Sequence, residues 1–377
     1  MIVGVDAGAI SITDERLKVG VWRVTFNLLK ELSTLDTVNQ YRLYSFRVIE
    51  RGVMEVFGPR MTNVVLRPAK GWMSVRLPIE LKLRPVDVFL GLAQALPHSS
   101  SHNIGFIYDL GFLYHPDAYG TSANRLKKQT QELVARADHI VTISQASKKD
   151  ILHQYGIEKD RVTVSYPGVD EELKDWTPDP SSSAGRQVRN DTNTKHPYFL
   201  FVGSLNKAKD IPLAIEAFAM FLKKANKPYD LLLIGGDYWP DPAIDAAIHR
   251  YQLNGNIRKL GFVPDEMLLD YYRGATAFVT TALHEGFCLP AAEAMAAGTP
   301  VVAVDRGAMK EVVGDGGIIV EERGINSAST NLASALARVA ETKTRAALSK
   351  QATLRAKTFR WKAFAQTVYQ RINILTR

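Results

Sequence analysis

The sequence predicts an α/β protein that is built from two parallel-sheet domains. Its 377 residues exceed what one hydrophobic core usually serves. Short strand-like segments alternate with segments whose apolar residues have helical spacing, which is typical of parallel sheets. This alternation stops at a polar segment rich in Pro, Ser, Asn and Asp, and then starts again. We therefore expect an N-terminal domain over 1–175, a linker or flexible loop over 176–196, a second domain over 197–357 and a C-terminal helix over 358–377.

The predicted strands are short, rich in β-branched or aromatic residues and mostly bounded by turn residues. In the first domain they cover 1–6, 41–46, 63–67, 86–90, 104–109, 139–144 and 161–165. In the second domain they cover 198–204, 229–235, 257–263, 275–281 and 300–304. The predicted helices cover 20–32, 121–137, 146–155, 211–225, 242–252 and most of the chain after 326. Because ligands of parallel sheets bind at the carboxyl ends of the strands, we expect the binding site in the cleft between the two domains.

Composition narrows the class of protein. With 46% apolar and 23% charged residues, the chain is typical of soluble globular proteins. The single cysteine, Cys288, excludes an internal disulfide and fits a reducing compartment. The N-terminus lacks a signal-peptide pattern, and no apolar run reaches the roughly 18 residues of a transmembrane helix. We therefore expect a cytoplasmic protein, either free or bound at the inner face of a membrane.

The net charge of +8 is concentrated toward the C-terminus, where residues such as Lys343, Arg345 and Lys350 predominate. This basic region is either a solvated helix face or a contact for an anionic membrane surface. The sequence contains no recognisable nucleic-acid recognition motif, so we expect no nucleic-acid partner.

The most informative stretch runs from His284 to Pro300. Pro290 suits the first position of a helix, and Gly298 followed by Pro300 is placed to end it. The residues from Glu285 onward are therefore predicted to form a loop that leads into a short helix. The unpaired N–H groups and positive dipole at a helix start suit a diphosphate.

Two glutamates border this predicted phosphate site. Glu285 begins the loop, and Glu293 is predicted to lie in the first turn of the helix. Carboxylates do not hold phosphate favourably but accept hydrogen bonds from hydroxyls, so sugar hydroxyls are the expected donors. The structural alternative is that Glu293 complements the helix dipole and that Glu285 is an ordinary loop acid.

This stretch resembles the E-x7-E signature of the retaining GT-B glycosyltransferases of family 4, also called glycosyl transferases group 1. Further resemblance to that family lies in an early glycine loop, an HDL-like segment and later landmarks at 18–23, 106–110, 137–144, 167–170, 201–205 with Lys209, and 307–317. The resemblance implies the GT-B fold, in which two Rossmann-like parallel-sheet domains face a central cleft. It also implies that the C-terminal helix packs back onto the first domain.

The resemblance assigns roles to particular residues. It implies catalytic roles for Glu285, Lys209, Asp109 and Tyr108. It implies donor binding by Gly20, Gly203, Ser204, Lys209, Val263, Glu285, Phe287, Cys288, Leu289 and Glu293. In this scheme Glu285 orients the donor sugar, Glu293 binds the ribose and Lys209 neutralises the departing diphosphate. The backbone amides of the loop hold the diphosphate, and Val263 contacts the base through its backbone.

Several of these residues also have plain structural alternatives. Asp109 would equally serve as a helix cap or turn residue, and Gly20 could simply begin a helix. Tyr108 replaces the family's histidine and Cys288 its central signature glycine, while Trp22 stands for the second glycine of the early loop. Ser204 and Ala208 stand where many members have arginine, which leaves Lys209, helped by Lys207 or Arg273, to carry the phosphate charge. Cys288 has no evident histidine partner and is not expected to be a nucleophile.

The resemblance implies transfer of a mannose- or glucose-type hexose from GDP-mannose or a UDP-hexose to a saccharide or lipid-linked saccharide acceptor. No cofactor is expected, and no metal, since the chain contains no D-x-D triad. Two alternatives remain open at this point. A nucleotide-sugar epimerase of the same fold would consume donor without an acceptor. A binding protein that has lost catalysis would keep the fold, although the intact Glu285, Glu293 and Lys209 argue against it.

Overall fold

The computed structural model describes residues 1–18, 20–170, 194–236, 240–322 and 327–376. The chain divides into two compact units. The first unit comprises Met1–Leu113, Thr121–Gly168 and Arg360–Arg377, and the second comprises Tyr114–Gly120 and Val169–Phe359. The short segment Tyr114–Gly120 thus groups with the second unit, although the predicted boundaries placed it in the first. Most of the predicted linker over 176–196 lies outside the described residues.

The first unit is built on a seven-stranded parallel sheet with the order β3-β2-β1-β4-β5-β6-β7. Its strands are β1 (Ile2–Asp6), β2 (Gln40–Ser45), β3 (Met61–Val65), β4 (Val88–Gly91), β5 (His102–Ile107), β6 (His139–Thr142) and β7 (Val162–Val164). The strand order reverses direction between β1 and β4, as in doubly wound α/β proteins.

The second unit is built on a six-stranded parallel sheet with the order β10-β9-β8-β11-β12-β13. Its strands are β8 (Tyr198–Val202), β9 (Asp230–Ile234), β10 (Ile257–Gly261), β11 (Ala277–Thr280), β12 (Val301–Val304) and β13 (Gly317–Val320). β13 was not predicted, because it is short and begins directly after a glycine-rich turn. A Cβ atom at Gly317 would lie 2.0 Å from the carbonyl oxygen of Val301, so the strand pairs closely only with glycine there.

Helices connect the parallel strands in both units. In the first unit they are α1 (Val21–Leu35), α2 (Arg51–Phe57), α3 (Leu77–Leu83), α4 (Gly111–Tyr114), α6 (Ser122–Arg136) and α7 (Gln145–Tyr155). The last residue of α4, Tyr114, and the short helix α5 (Pro116–Tyr119) group with the second unit. The second unit adds α8 (Ile211–Leu222), α9 (Pro242–Arg250), α10 (Asp265–Gly274), α11 (Leu289–Ala296), α12 (Met309–Val313), α13 (Ala328–Ala340) and α14 (Thr342–Ala356). The α/β class and the two Rossmann-like parallel sheets predicted from the sequence are confirmed.

The last helix, α15 (Trp361–Leu375), belongs to the first unit. It packs against α1, and the ring of Phe364 lies 6.3 Å from that of Phe106 on β5. The Ser165 hydroxyl donates to the Phe364 carbonyl at 3.3 Å. Gly168 touches Trp361 so closely that a Cβ atom there would lie 2.2 Å from the Trp361 nitrogen.

Asp6 is a buried carboxylate at the carboxyl end of β1. Its Oδ1 accepts the Gly8 N–H at 3.1 Å, whereas Oδ2 has no hydrogen-bond partner among the described residues. Burial raises the pKa of Asp6 to about 6, although the backbone hydrogen bonds lower it in part. Between pH 4 and 6 the Asp6 carboxyl group is therefore more protonated in the folded state than in the unfolded state.

Asp6→Asn is accordingly expected to change how stability depends on pH. In the wild type, protonated Asp6 contributes fully to the free energy of unfolding below about pH 4. As the pH rises through 6 this contribution is lost, and the free energy of unfolding falls by roughly 3 kcal/mol. The measurement is urea unfolding of both proteins from pH 4 to 7. His139, whose pKa burial lowers to about 4, acts in the opposite direction and is common to both proteins. A stability difference that stays constant with pH would contradict the assignment.

Candidate active site

The predicted site residues of the second unit gather where its strand order reverses. The reversal lies between the neighbouring strands β8 and β11, and such switch points are where parallel α/β sheets bind ligands. Gly203 and Lys209 follow β8, and Glu285 follows β11. The Leu283 N–H donates to the Ala208 carbonyl at 2.9 Å, which holds the two loops together.

Lys209 and Glu285 form an ion pair across these two loops. The Lys209 Nζ lies 2.5 Å from Glu285 Oε1, and the two side chains are 27% and 13% exposed. Partial burial strengthens the attraction relative to a surface pair. The structure therefore brings together the two residues to which catalytic roles were assigned in this unit.

The turn that carries Lys209 is braced by a network that sequence reasoning missed. Asp210 has left-handed backbone with φ 45°, and its carboxylate meets Arg306 Nη1 at 2.8 Å. Arg306 also donates to the Thr281 carbonyl at 2.8 Å and pairs with Glu322. The Thr281 hydroxyl donates back to the Asp210 carbonyl at 2.8 Å. Arg306 and Thr281 thus fix the Lys209 turn against the end of β11.

Gly307 fixes the backbone of Glu285. The Ala308 N–H donates to the Glu285 carbonyl at 2.8 Å. Gly307 has φ 59°, and a Cβ atom there would lie 2.3 Å from the carbonyl oxygen of Glu285 and 2.7 Å from its backbone nitrogen. This position therefore requires glycine for its conformation and for space. The family resemblance covered 307–317 but assigned no role to Gly307.

The helix after the loop is α11, which begins at Leu289, so Pro290 is its second residue. Cys288 precedes it in left-handed backbone with φ 69°, where the family has glycine. The first N–H groups of such a helix have no partner within the helix. Burial raises the pKa of the Cys288 thiol well above its ordinary range, which keeps the thiol neutral.

The prediction that Glu293 lies in the first turn of this helix is wrong, because the helix starts earlier and its first turn contains no acid. The Glu293 side chain is instead 6% exposed. Its Oε2 accepts the Tyr272 hydroxyl at 2.9 Å. Tyr272 is itself buried and lies in α10. Glu293 is therefore a held, buried carboxylate rather than a partner of the helix dipole.

Tyr272→Phe is expected to weaken donor binding about tenfold, because a hydrogen bond to a charged group contributes roughly 1.5–3 kcal/mol. Titration calorimetry with the nucleoside diphosphate measures the effect. The neighbouring Tyr271→Phe is the matched control and should bind as the wild type does. Glu293→Ala should weaken binding at least as much as Tyr272→Phe. Equal affinities of the wild type and the three variants for the nucleoside diphosphate would contradict a ligand-binding role for Glu293.

The other residues of the second unit that are predicted to bind the donor also lie at the carboxyl edge of the sheet. Gly203 directly follows β8 and touches Gly235, where a Cβ atom would lie 2.0 Å from the Gly203 oxygen. Ser204 comes next, and its carbonyl accepts the Asn206 N–H at 3.0 Å. Val263 is buried just beyond β10. Phe287 is buried against Phe359, with ring centroids 5.0 Å apart.

In the first unit, the predicted residues make contacts within that unit. Gly20 precedes α1 with φ 42°, and a Cβ atom there would meet nothing within 4 Å. The Tyr108 hydroxyl donates to the Leu92 carbonyl at 2.7 Å. Asp109 Oδ1 accepts the Gly111 N–H at 2.8 Å, which is the turn contact given above as the alternative. A role of Tyr108 or Asp109 toward substrate stays a prediction.

Within the described ranges, no three His, Cys, Asp or Glu side chains come together as ligands for a metal ion. None of the described helices is both long and apolar enough to cross a membrane.

Two parallel sheets of Rossmann-like order, with a charged site at the switch point of the second, define the GT-B class of glycosyltransferase folds. The family models for "Glycosyl transferases group 1" and "Glycosyltransferase Family 4" match residues 186–355 and 68–173, which together make up most of the chain. The chain belongs to this glycosyltransferase family.

Similar proteins agree with this family. The O-antigen chain mannosyltransferase B of Escherichia coli is 27% identical over 64% of this chain and 63% of its own length. The chain thus matches less than two thirds of that relative. Sucrose-phosphate synthase from Thermosynechococcus elongatus has a TM-score of 0.76 at 19% identity, covering 99% of this chain and 98% of its own. Anabaena Alr3699/HepE in complex with UDP and glucose has a TM-score of 0.72 at 17% identity, covering 99% of both chains. The two structural similarities support the fold.

Proposed function

We propose that this protein is a retaining hexosyltransferase. It moves a mannose- or glucose-type hexose from a nucleoside diphosphate sugar to a saccharide or lipid-linked saccharide. GDP-mannose is the favoured donor, and a UDP-hexose is the second choice. The observation that carries the proposal is the grouping of Lys209, Glu285 and the loop before α11 at the switch point of the second sheet. The mannosyltransferase name of the Escherichia coli relative supports mannose.

The charges at this site suit both halves of the donor. Lys209 and the first N–H groups of α11 offer positive charge to a diphosphate. An ammonium has three N–H donors, so Lys209 can contact a phosphate oxygen while it still bonds Glu285. The carboxylates of Glu285 and Glu293 accept hydrogen bonds from sugar and ribose hydroxyls. The diphosphate charge is thereby handled without a metal in this proposal.

In the proposed reaction, the leaving group departs from and the acceptor attacks the same face of the sugar. The bond from the anomeric carbon to the diphosphate oxygen breaks, and the acceptor oxygen forms its bond to that carbon from the same side. The departing diphosphate oxygen takes the acceptor proton, so no separate base is needed. Lys209 stabilises the charge that develops on the leaving group. The anomeric configuration is therefore retained. The proposed location is the cytoplasm, at the inner face of the membrane when the acceptor is lipid-linked.

A panel of nucleotide sugars tests this proposal. Purified protein is incubated with each common donor, with and without EDTA, and released nucleoside diphosphate is recorded. We expect slow release from one donor, unchanged by EDTA and abolished by Glu285→Ala. Loss of release with EDTA would refute metal independence. Binding of one nucleotide sugar without release, even with saccharide acceptors present, would favour a binding protein. Conversion of the donor to its epimer would favour an epimerase.

A further inference from the structure

A surface helix of the first unit has apolar residues on two opposite sides. It covers 72–83 and consists of a π-helical turn, Trp72–Arg76, followed by α3. Leu77 and Leu81, one turn apart, are buried in the unit. On the opposite side, three residues repeat at the same spacing, Val75, Ile79 and Leu83, with exposures of 55%, 45% and 73%. We call these three residues the apolar stripe. Residues four apart on a helix are neighbours, and exposed apolar residues that adjoin one another, rather than lying singly, can mark an interaction surface.

Positive charges flank the apolar stripe. The stretch 67–84 contains five cationic residues, Arg67, Lys70, Arg76, Lys82 and Arg84, and a single acid, Glu80. All five cationic residues are exposed. The Arg76 guanidinium donates to the Arg67 carbonyl at 3.0 Å, and Arg84 lies 3.6 Å from Glu80. The surface therefore combines an apolar strip with a net positive border.

The surface helix starts at the carboxyl edge of the first sheet. Its first residue, Trp72, contacts the ring of Phe46 just after β2, with centroids 5.9 Å apart. Trp72 also covers Gly8 just after β1, where a Cβ atom would lie 3.0 Å from the indole. Ligands of parallel sheets bind at this edge. The apolar stripe therefore begins beside the edge at which a ligand of the first unit would bind.

We propose that the surface helix docks the protein on the surface of an anionic lipid bilayer. The apolar stripe enters the boundary between headgroups and acyl chains, and the flanking cations meet lipid phosphates. A convex helix face with apolar residues between cations fits an in-plane, deformable interface of this kind. Docking here would present a lipid-linked acceptor to the edge of the first sheet. That part of the inference rests on the proposed function, in which such an acceptor receives the sugar.

Charge favours lipid over the other occupants of this surface. A second copy of the chain would bring the same positive border against itself, which is repulsive. The basic C-terminal helix α14 fits a bilayer less well, because Leu354 is its large exposed apolar residue and Arg355 is bound to the carbonyls of Glu311 and Val312. The membrane contact that the sequence suggested for the C-terminal region is therefore assigned to the surface helix instead.

Sedimentation with vesicles tests the docking surface on the full chain. One set of vesicles combines phosphatidylglycerol with phosphatidylethanolamine, and the other is phosphatidylcholine alone. The stripe variant is Val75→Ser/Ile79→Ser/Leu83→Ser. Its control, Val38→Ser/Val56→Ser/Leu354→Ser, removes three apolar residues of similar exposure elsewhere. The charge variant is Lys70→Ser/Lys82→Ser, and its control is Lys343→Ser/Lys350→Ser in α14. Circular dichroism and nucleotide release in vesicle-free solution check that each variant is folded.

We expect the wild type to bind the anionic vesicles and the stripe variant to lose about tenfold or more of that binding. The charge variant should bind less, and both controls should bind as the wild type does. Binding that survives in the stripe variant, or that is lost in the α14 control, would overturn the proposal. So would absence of binding to anionic vesicles, or a wild-type dimer that the stripe variant converts to monomer. Nucleotide release in solution reports on the proposed function separately, so the two failures are distinguishable.

Discussion

Lys209→Ala is expected to lower turnover at saturating donor by about tenfold or more, which corresponds to at least roughly 1.4 kcal/mol of lost transition-state stabilisation. The physical reason is that the leaving diphosphate gains charge in the transition state, and Lys209 is the cation paired into this site. The loss should appear in turnover more than in donor affinity, because the interaction strengthens as the bond breaks. Steady-state assays of nucleoside diphosphate release measure both quantities.

Two comparisons separate this role from structural effects. Lys259→Ala breaks the ion pair of Lys259 with Asp245, 2.7 Å long and formed by residues with no assigned role in the site, and is the matched control that should keep near wild-type turnover. The second comparison addresses Glu285, which loses its cation in Lys209→Ala. Lys209→Ala/Glu285→Gln removes the unpaired charge and should recover stability but not turnover. Near-normal turnover in Lys209→Ala would exclude its leaving-group role.

Gly307→Ala is expected to reduce turnover about a hundredfold, because misplacing a reacting group by about 1 Å can cost that much. The new Cβ atom would lie 2.3 Å from the Glu285 carbonyl oxygen, and the backbone fixes the positions of both atoms, so no side-chain rotation relieves the contact. The loop that begins at Glu285 must therefore shift. Turnover and thermal unfolding of the purified variant measure the effect.

Gly314→Ala is the matched control for this experiment. Gly314 also has a positive φ, 50°, so alanine is strained there as well. Its nearest neighbour is the Arg355 side chain rather than backbone, 3.4 Å from the Cβ position. Gly314→Ala should therefore lose some stability and keep its activity. Equal loss of turnover in both variants would show that strain, and not displacement of Glu285, explains the effect.

Local patterns in the sequence were sufficient to predict the fold class and the main loop. Alternating strands and helices indicated two parallel sheets, and Gly298 with Pro300 correctly predicted that α11 ends there. The start of α11 was misplaced by one residue, because proline is tolerated at the first or second helical position and the pattern does not choose between them. That small shift moved Glu293 out of the first turn.

The supporting contacts could not be predicted from one sequence, because they join distant positions. Asp210 and Arg306 are 96 residues apart, and Tyr272 and Glu293 are 21 apart on different helices. Each residue alone has an ordinary local environment in the sequence. Gly307 carried a weak signal, since it stands in a stretch that resembles the family. Its contact with Glu285 depends on the return of the chain after β12.

The placement of α15 has a consequence for how the chain folds during synthesis. Trp361 and Phe364 complete the first unit, yet they follow the whole second unit along the chain. When 1–168 have left the ribosome, the surfaces of Phe106 and Gly168 that these residues cover are still open to solvent. Domains of long chains generally fold as units in the order of their synthesis, and exposed apolar surface makes intermediates prone to aggregation. The first unit stays incomplete until α15 is made, so the second unit can finish folding before it. The surface of the first unit that α15 later covers is therefore the one that chaperones have the longest time to bind.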